Sequence, residues 1–321
     1  MPTILVTGSL AYDYIMHFGD TFSKHILADK IDKLNVSFTA SDLSKNRGGT
    51  AGNISYSLAL LKETPVIATT VGKDFDEYRT FLEQRGIVTS EIVVLENEWT
   101  ASAHIITDLN ANQITAFHGG AMLANDFCIK PTLDKFDIKI AIIAADGKTG
   151  MLRHAETFRN TNTKYIYDPG HSLPAFNGEE IMSLLNGSHI VLVNSYEADL
   201  IVDKTGKSLE ELRQLVDYFI VTLGGEGSVI YHKDEETKVA VVKTDNFVDP
   251  TGAGDAYRAG LLKGLVNDLP METCGQLAST AACYAVECTG TQNFAYDAES
   301  FIARFSENYG QNEDVVKLFN G

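Results

Sequence analysis

With 321 residues, 44% of them hydrophobic, the chain is large enough to bury one sizeable core with a smaller attachment, and disorder is not the default reading. Its 43 acidic against 26 basic side chains give a formal charge of -17, which disfavours nucleic acid or an anionic membrane as the main partner and leaves room for a small anion only where local groups and a metal hold it. Four cysteines (Cys128, Cys274, Cys283, Cys288) form no C-x-x-C pair, and the start MPTILVTGSLAYD lacks a basic, long apolar leader, so a reduced, cytoplasmic protein without membrane spans is expected.

In chain order, TILVTG is a short β-rich run closed by glycine, and VIATTVG, KIAIIAAD, KYIYDPG, HIVLVN and YFIVTLGG repeat its form. Helical spacing fills the gaps: Ile54, Leu58 and Leu61 share a face in AGNISYSLALLKE, and EEIMSLLNG and SLEELRQLV are amphipathic. Alternating buried strands and helices predict an α/β fold with a mainly parallel twisted sheet covered on both faces, where ligands bind beyond the carboxyl ends of the strands. Two stretches break the rhythm: 12–45, containing KLNVSFTASDL, and 98–120, where TASAHIITDLNANQITAFHGGAM reads as two strands joined by a polar NANQ turn. They predict a small β lid made of two insertions on a core of 1–11, 46–97 and 121–321; the alternative is an antiparallel edge of the main sheet.

The stretch VDPTGAGDAYRAG, residues 248–260, packs glycines and aspartates at a turn that runs into a helix. It is no Walker A loop, which needs G-x-x-x-x-G-K-[ST], and a dinucleotide fingerprint begun at Gly252 would need glycine where Tyr257 stands. What remains is a helix whose first amides point out of a glycine-rich turn and attract a phosphoryl group, with Asp255 beside it to accept the proton of an attacking hydroxyl. On spacing alone, Asp255 serves equally as a helix cap. NRGGTAGNISYSLALL offers a second turn-to-helix junction, where Gly48 and Gly49 let backbone approach a ligand and Asn53 can donate to and accept from vicinal hydroxyls. Asp13, five residues after the first strand, either meets the same hydroxyls or is a solvated turn residue. In VNSYEADLI, Asn194 and Glu197 face one way and could hold the waters of a Mg²⁺ ion, although N-x-x-E is also a capping-box spacing. VTLGGEGSVIY puts Thr222, Gly224 and Gly227 in a turn that either backs a nucleotide or is an ordinary hairpin. His104 and His118, on the two arms of the lid hairpin, lack a third metal ligand. Cys283 and Cys288 read as small core residues, and Arg258, one turn after Asp255, stands either beside the phosphate or in a surface pair.

Taken in order, the early G-G-x-x-x-N, the middle N-x-x-E, the T-x-G-x-x-G and the late D-P-T-G-A-G-D resemble the ribokinase, or PfkB, family of carbohydrate and nucleoside kinases over almost the whole chain. HILADKIDKLNVSF and GGTAGNISYSLALL look most like its bacterial adenosine-kinase members. The resemblance implies a ribokinase-like three-layer core with a β-sheet lid, and transfer of the γ-phosphoryl group of ATP to a hydroxymethyl group of a ribosyl-type acceptor, adenosine or a related nucleoside. The alternatives are a kinase for ribose, fructose or a related sugar, and a non-catalytic nucleoside or nucleotide sensor. By position, the resemblance makes Asp255 the general base, Gly252, Ala253 and Gly254 the anion hole, and Asp13, Gly48, Gly49 and Asn53 the sugar-hydroxyl site. It assigns Asn194 and Glu197 to Mg²⁺ and phosphate, and Thr222, Gly224 and Gly227 to ATP. Asp249 and Thr251 fall at a potassium site in many relatives, with further ligands from 285–292.

Thr50 departs from the lysine of free-ribose kinases, and Glu287 and Cys288 in VECTGTQN are atypical of the nucleotide site, near which that segment keeps a glycine and a glutamine. The lid aromatics Phe38 and Phe117, with Ile15 and Met16, offer apolar surface to a base or else pack lid against core. Exposed lid strands make a homodimer an expectation.

Overall fold

The computed structural model describes residues 4–26, 32–33 and 35–320, so 27–31 and 34 of the first lid stretch lie outside it. The strands are β1 (Ile4–Thr7), β2 (Ala11–Phe18), β3 (Ala40–Gly48), β4 (Val66–Ile67), β5 (Thr70–Gly72), β6 (Val93–Leu95), β7 (Ala101–Thr107), β8 (Gln113–His118), β9 (Ile140–Ile143), β10 (Tyr165–Tyr167), β11 (Ile190–Asn194), β12 (Tyr218–Thr222), β13 (Ser228–His232) and β14 (Glu235–Val239). The helices are α1 (Thr50–Leu60), α2 (Asp76–Glu83), α3 (Lys130–Lys135), α4 (Lys148–Asn160), α5 (Gly178–Leu185), α6 (Ser195–Thr205), α7 (Leu209–Arg213), α8 (Ala253–Val266), α9 (Met271–Val286), α10 (Ala298–Tyr309) and α11 (Glu313–Asn320).

Short apolar runs buried from end to end, such as IAII in β9 and YIY in β10, have no solvent face to offer, and this is the composition of a parallel sheet covered on both sides. Eight strands pair in the order β14-β13-β12-β11-β10-β9-β1-β4, parallel except at the β13 and β14 edge. Successive side chains then separate into two helix layers. Ile142, Leu192 and Ile220 pack with α1, α2 and α8 to α11, whereas Ile143, Val193 and Val221 pack with α4 to α7. The chain leaves β1 for β4 on one side and returns to β9 on the other, which opens a crevice at the carboxyl ends of β1 and β9. Thr50 bridges that point: its Oγ1 donates to Ala145 O at 2.9 Å and accepts from Ser9 N at 3.2 Å. The residue that replaces the lysine of free-ribose kinases is thus bound into the strand ends. No helix among the described residues is long and apolar enough to cross a membrane.

A separate four-stranded sheet, β3-β2-β7-β8, stands over the crevice side of β1 and α1 and is not an edge of the main sheet. Its first insertion runs past position 45, because β3 continues to Gly48 to pair with Ala11. Register sets Asn46, Asp13, Ala103 and Phe117 in one row across the four strands, hence on one face, and the next row on that face holds Ser44, Ile15, Ile105 and Thr115. Met16 belongs to the other face, beside Leu43 and Ile106.

Helix α8, which carries the glycine-rich turn at its start, is fixed by close packing on α9. A methyl at Gly260 would lie 2.5 Å from Leu277 O and 2.6 Å from Ala278 Cα. Gly260→Val is therefore expected to lower the midpoint of thermal unfolding, at an overpacking cost of about 1–3 kcal/mol. Gly19→Ala, whose methyl meets nothing within 4 Å, should leave the melting curve unchanged.

Candidate active site

The turn before α8 is held by its own aspartate. Asp249 Oδ1 accepts from Thr251 N at 2.9 Å and Oδ2 from Gly290 N at 3.3 Å, while the amides of Val248 and Asp249 donate to Val286 O at 2.8 and 3.1 Å. Asp249, Thr251 and part of the 285–292 segment are thereby brought together. Gly252 caps α8 with a left-handed backbone, φ 84°. Ala253 N closes onto Pro250 O at 3.2 Å, so among the described residues the amides of Gly252, Gly254 and Asp255 are those without an acceptor at this helix start. Such amides, with the positive end of the helix dipole, attract an anion.

No side-chain cap bond forms at the start of α8. The Asp255 carboxylate instead faces α1, where Oδ2 accepts from Asn53 Nδ2 at 2.8 Å. Gln292 Nε2 donates to Asn53 Oδ1 at 2.8 Å and to the Tyr78 hydroxyl at 2.5 Å, and Tyr78 in turn donates to Gly48 O at 3.0 Å. This chain fixes the Asn53 amide with its NH₂ toward Asp255. Gln292, expected near the nucleotide, therefore stands behind Asn53. Burial pushes the Asp255 carboxyl up to about 6, opposed by Arg258 and by the Asn53 hydrogen bond and reinforced by Asp168. Its Oδ1 accepts no hydrogen bond from a described residue. That oxygen is left to take a proton.

Asp13 adjoins the same place, with Oδ2 at 2.8 Å from where a Cβ on Gly48 would sit, and burial raises its carboxyl above the usual range. Gly49, at φ 88°, precedes α1. Asn194 and Thr222 are register partners at the ends of β11 and β12, and Gly224 and Gly227 form the turn that follows. Asn194 and Glu197 form a complete capping box: Asn194 Oδ1 accepts Glu197 N at 2.8 Å, and Glu197 Oε2 accepts Asn194 N at 2.9 Å. Burial raises the Glu197 carboxyl, with Asp168 adding to the rise and Arg258 opposing it, so the side chain belongs to the same charged cluster. Arg258 forms no surface pair. Its guanidinium grips Asp168, a buried carboxylate just after β10, through Nε and Nη2.

The two phenylalanines have different settings. Phe38 packs on Phe18 and Phe22, with ring centroids 4.8 and 5.1 Å away, whereas Phe117 is 54% exposed on the Asp13 face. His104 stacks on Tyr14 at 4.9 Å and shares with His118 the opposite face of the sheet. Cys283 is buried and Cys288 half-buried, and Glu287 ties Thr244 to Arg304.

The pfkB family carbohydrate kinase profile matches residues 12–298. The chain belongs to this family. It is 30% identical over 311 residues to a nucleoside kinase of Methanothermobacter thermautotrophicus, covering 96% of both chains. It is also similar to the structure of Burkholderia thailandensis nucleoside kinase in complex with inosine, with a TM-score of 0.85, 35% identity and coverage of 97% and 100%. The structure of Methanocaldococcus jannaschii nucleoside kinase matches with a TM-score of 0.83 at 28% identity over 96% of this chain and 99% of that one.

This PfkB-family kinase is thus a phosphotransferase acting on an alcohol group, with ATP as co-substrate. The residues present fit a Mg²⁺ ion carried with the phosphates. Glu197 Oε1 accepts no hydrogen bond from a described residue, and among the described residues no group of three His, Cys, Asp or Glu forms a protein cage. Glu197, with Asn194 beside it, would hold such an ion through water, and the ion would offset charge on the phosphate oxygens. Asp168, Tyr78 and the position of Gln292 were missed from sequence; the one usable signal was that Asp168 directly follows a buried strand, where ligands gather in this type of sheet.

Because its carboxyl is raised, Asp255 is ionised above about pH 6 and loses basicity as pH falls through that value, so kcat/KM should decline on the acid side with a midpoint about 6. Asp255→Asn should lower kcat roughly 10²- to 10⁴-fold at neutral pH. The sign of the linkage differs for stability: a carboxyl raised on folding disfavours the native state once ionised, so the variant's melting temperature at pH 8 should equal or exceed the parent's. Full turnover with reduced stability would show that Asp255 serves only the helix.

Proposed function

We propose that this kinase transfers the γ-phosphoryl group of ATP to the hydroxymethyl oxygen of a nucleoside, with adenosine the leading acceptor. The observation that carries the reading is the row of Asn46, Asp13, Ala103 and Phe117. Asp13 and Phe117 are two strands apart, about 10 Å at the usual strand spacing. That span suits a ribose whose hydroxyls meet Asp13 and whose flat base rests on Phe117, with the small Ala103 as floor between them. A free sugar has no group to reach the phenyl ring. The kinship with the Methanothermobacter and Burkholderia nucleoside kinases, the latter bound to inosine, supports the same acceptor class.

In this reading Asp13, Asn53 and the backbone of Gly48 and Gly49 orient the ribose, and Asp255 Oδ1 removes the proton of the attacking hydroxyl. The free amides of Gly252, Gly254 and Asp255 receive the phosphoryl group, while Ala253 N stays bonded to Pro250 O, and Thr222, Gly224 and Gly227 back the nucleotide. The small sheet closes over the acceptor and excludes water, the competing nucleophile. Glu197 and Asn194 would hold Mg²⁺ through water, and Asp249 and Thr251 would hold a potassium ion. The four cysteines are free, consistent with a reducing cytoplasm, and the acidic surface argues against nucleic acid as a partner. On the sheet's other face Leu43 and Ile114 are 64% and 40% exposed, which supports a homodimer joined through that sheet.

Adenosine should exceed ribose and fructose in kcat/KM under identical Mg²⁺-ATP conditions; a tenfold preference for a free sugar makes the protein a sugar kinase instead. Base–aromatic stacking of ~1–3 kcal/mol predicts that Phe117→Ala raises the adenosine KM about 5- to 150-fold. Phe38→Ala should lower stability and leave KM largely alone, because Phe38 packs on Phe18 and Phe22.

Glu197→Gln should raise the Mg²⁺ concentration needed for half-maximal rate, and an unchanged titration removes Glu197 from the metal site. Replacing sodium with potassium should raise the rate; equal rates with trace potassium excluded would dismiss the second cation.

A further inference from the structure

Arg258 is the sixth residue of α8, and helical side chains lean toward the helix N-terminus, so it reaches back over Gly254. A methyl at Gly254 would lie 2.5 Å from Arg258 Nη1, which places that nitrogen against the start of the helix. Two features make the position unusual. A cation near a helix N-terminus opposes the dipole, and a guanidinium whose side chain is 12% exposed needs a partner. Asp168, whose side chain is 1% exposed, supplies one from another layer of the chain, binding Nε and Nη2 as a fork. The third nitrogen is not used: among the described residues none accepts a hydrogen bond from Nη1.

We propose that Arg258 contacts the phosphoryl group being transferred, through Nη1, and that Asp168 is the positioning residue that locks the guanidinium with Nη1 at the mouth of the 252–254 turn. The inference rests on the reading of that turn and Asp255 as the phosphoryl site. The reaction it serves is balanced by groups already named. The acceptor oxygen bonds to the γ-phosphorus as the bond from that phosphorus to the β-bridging oxygen breaks, the electron pair leaves with ADP, and the hydroxyl proton passes to Asp255. Arg258 donates hydrogen bonds only and keeps its proton. A fixed donor aimed at the equatorial phosphoryl oxygens stabilises them without reorganising during the step. Asp168 keeps the guanidinium from turning onto Asp255, where it would neutralise the base.

The test compares Arg258→Ala, Asp168→Asn, the double variant and Asp255→Asn in the full chain, with adenosine and Mg²⁺-ATP. Arg258→Ala should lower kcat roughly 10²- to 10³-fold with the adenosine KM little changed. Added guanidinium ion should restore part of the rate in Arg258→Ala and much less in the double variant, since Asp168 holds the ion. Asp168→Asn should lower kcat alone yet add little once Arg258 is gone. If Arg258→Ala keeps its plateau kcat and only shifts the acid limb of the pH profile upward, Arg258 serves the ionisation of Asp255 and the phosphate contact is refuted. A loss of melting temperature with full kcat refutes it as well. Should Arg258→Ala not fold, Arg258→Lys keeps the charge without the fork and should still lose kcat. Asp255→Asn separates the two levels: if it is inactive while Arg258 variants are normal, only the arginine role fails, and if it is itself fully active, the site reading fails with it.

Discussion

The hydrogen bond from Asn53 to Asp255 joins residues 202 positions apart and is the point on which the site depends. Asn53 belongs to the helix that begins at the glycine pair, and Asp255 to the helix that begins at the phosphate turn. One 2.8 Å contact therefore sets the distance between the starts of α1 and α8, which in the proposed reading are the acceptor side and the phosphoryl side of the crevice. Its direction is set from behind. Gln292 has two amide protons and gives them to Asn53 and Tyr78, so Asn53 can only donate forward, and Tyr78 passes its own proton to the Gly48 carbonyl. The glycine at position 52 belongs to this arrangement, because a methyl there would collide with the Tyr78 hydroxyl. The Gly48 loop, α1 and Asp255 are thus parts of one polar network.

Charge explains how an acidic protein can work on an acidic substrate. Asp168, Glu197 and Asp255 gather around a single arginine, and burial raises both Glu197 and Asp255 above their usual carboxylate ranges. A buried carboxylate is costly when ionised, which makes it a better base at neutral pH than one in water. The arginine and the Asn53 amide limit that rise. The overall charge of -17 is a sum over the whole chain, whereas an anion in the crevice meets free backbone amides, one guanidinium and a helix terminus locally.

Much of this fold is legible in the amino-acid sequence. Strands such as β9 and β11 announce themselves as short apolar runs between amphipathic segments, and that alternation leads directly to the parallel sheet. The glycine-rich turn into α8 is legible as a turn-to-helix junction, but its spacing alone leaves helix cap and phosphate site equally open, and only the motifs that accompany it favour the second. What escaped was the pairing of residues far apart in the chain. Nothing local to KYIYDPG says that its aspartate meets an arginine 90 residues later, and nothing local to TGTQN says that its glutamine supports Asn53, 239 residues away. The capping box at Asn194 and Glu197 is a different case, because the local reading is realised while Glu197 also couples to Asp168 and Arg258. Met16 was grouped with Ile15, yet strand alternation turns neighbouring residues to opposite faces.

The row that runs from Asp13 to Phe117 has an evolutionary corollary. Its members lie on a sheet whose strands carry neither Asp255 nor the turn before α8, so in the nucleoside reading proposed above the length of acceptor admitted is separable from the step performed on it. Ala103 occupies the middle of that row with little more than a methyl group. In that reading a larger side chain there would shorten the reach from Asp13 to Phe117 from nucleoside to sugar length without disturbing α1 or α8, and a single codon would redirect the acceptor while the phosphoryl chemistry stayed intact. On that reading, a constant engine under an interchangeable gauge would put nucleosides and sugars a short mutational path apart.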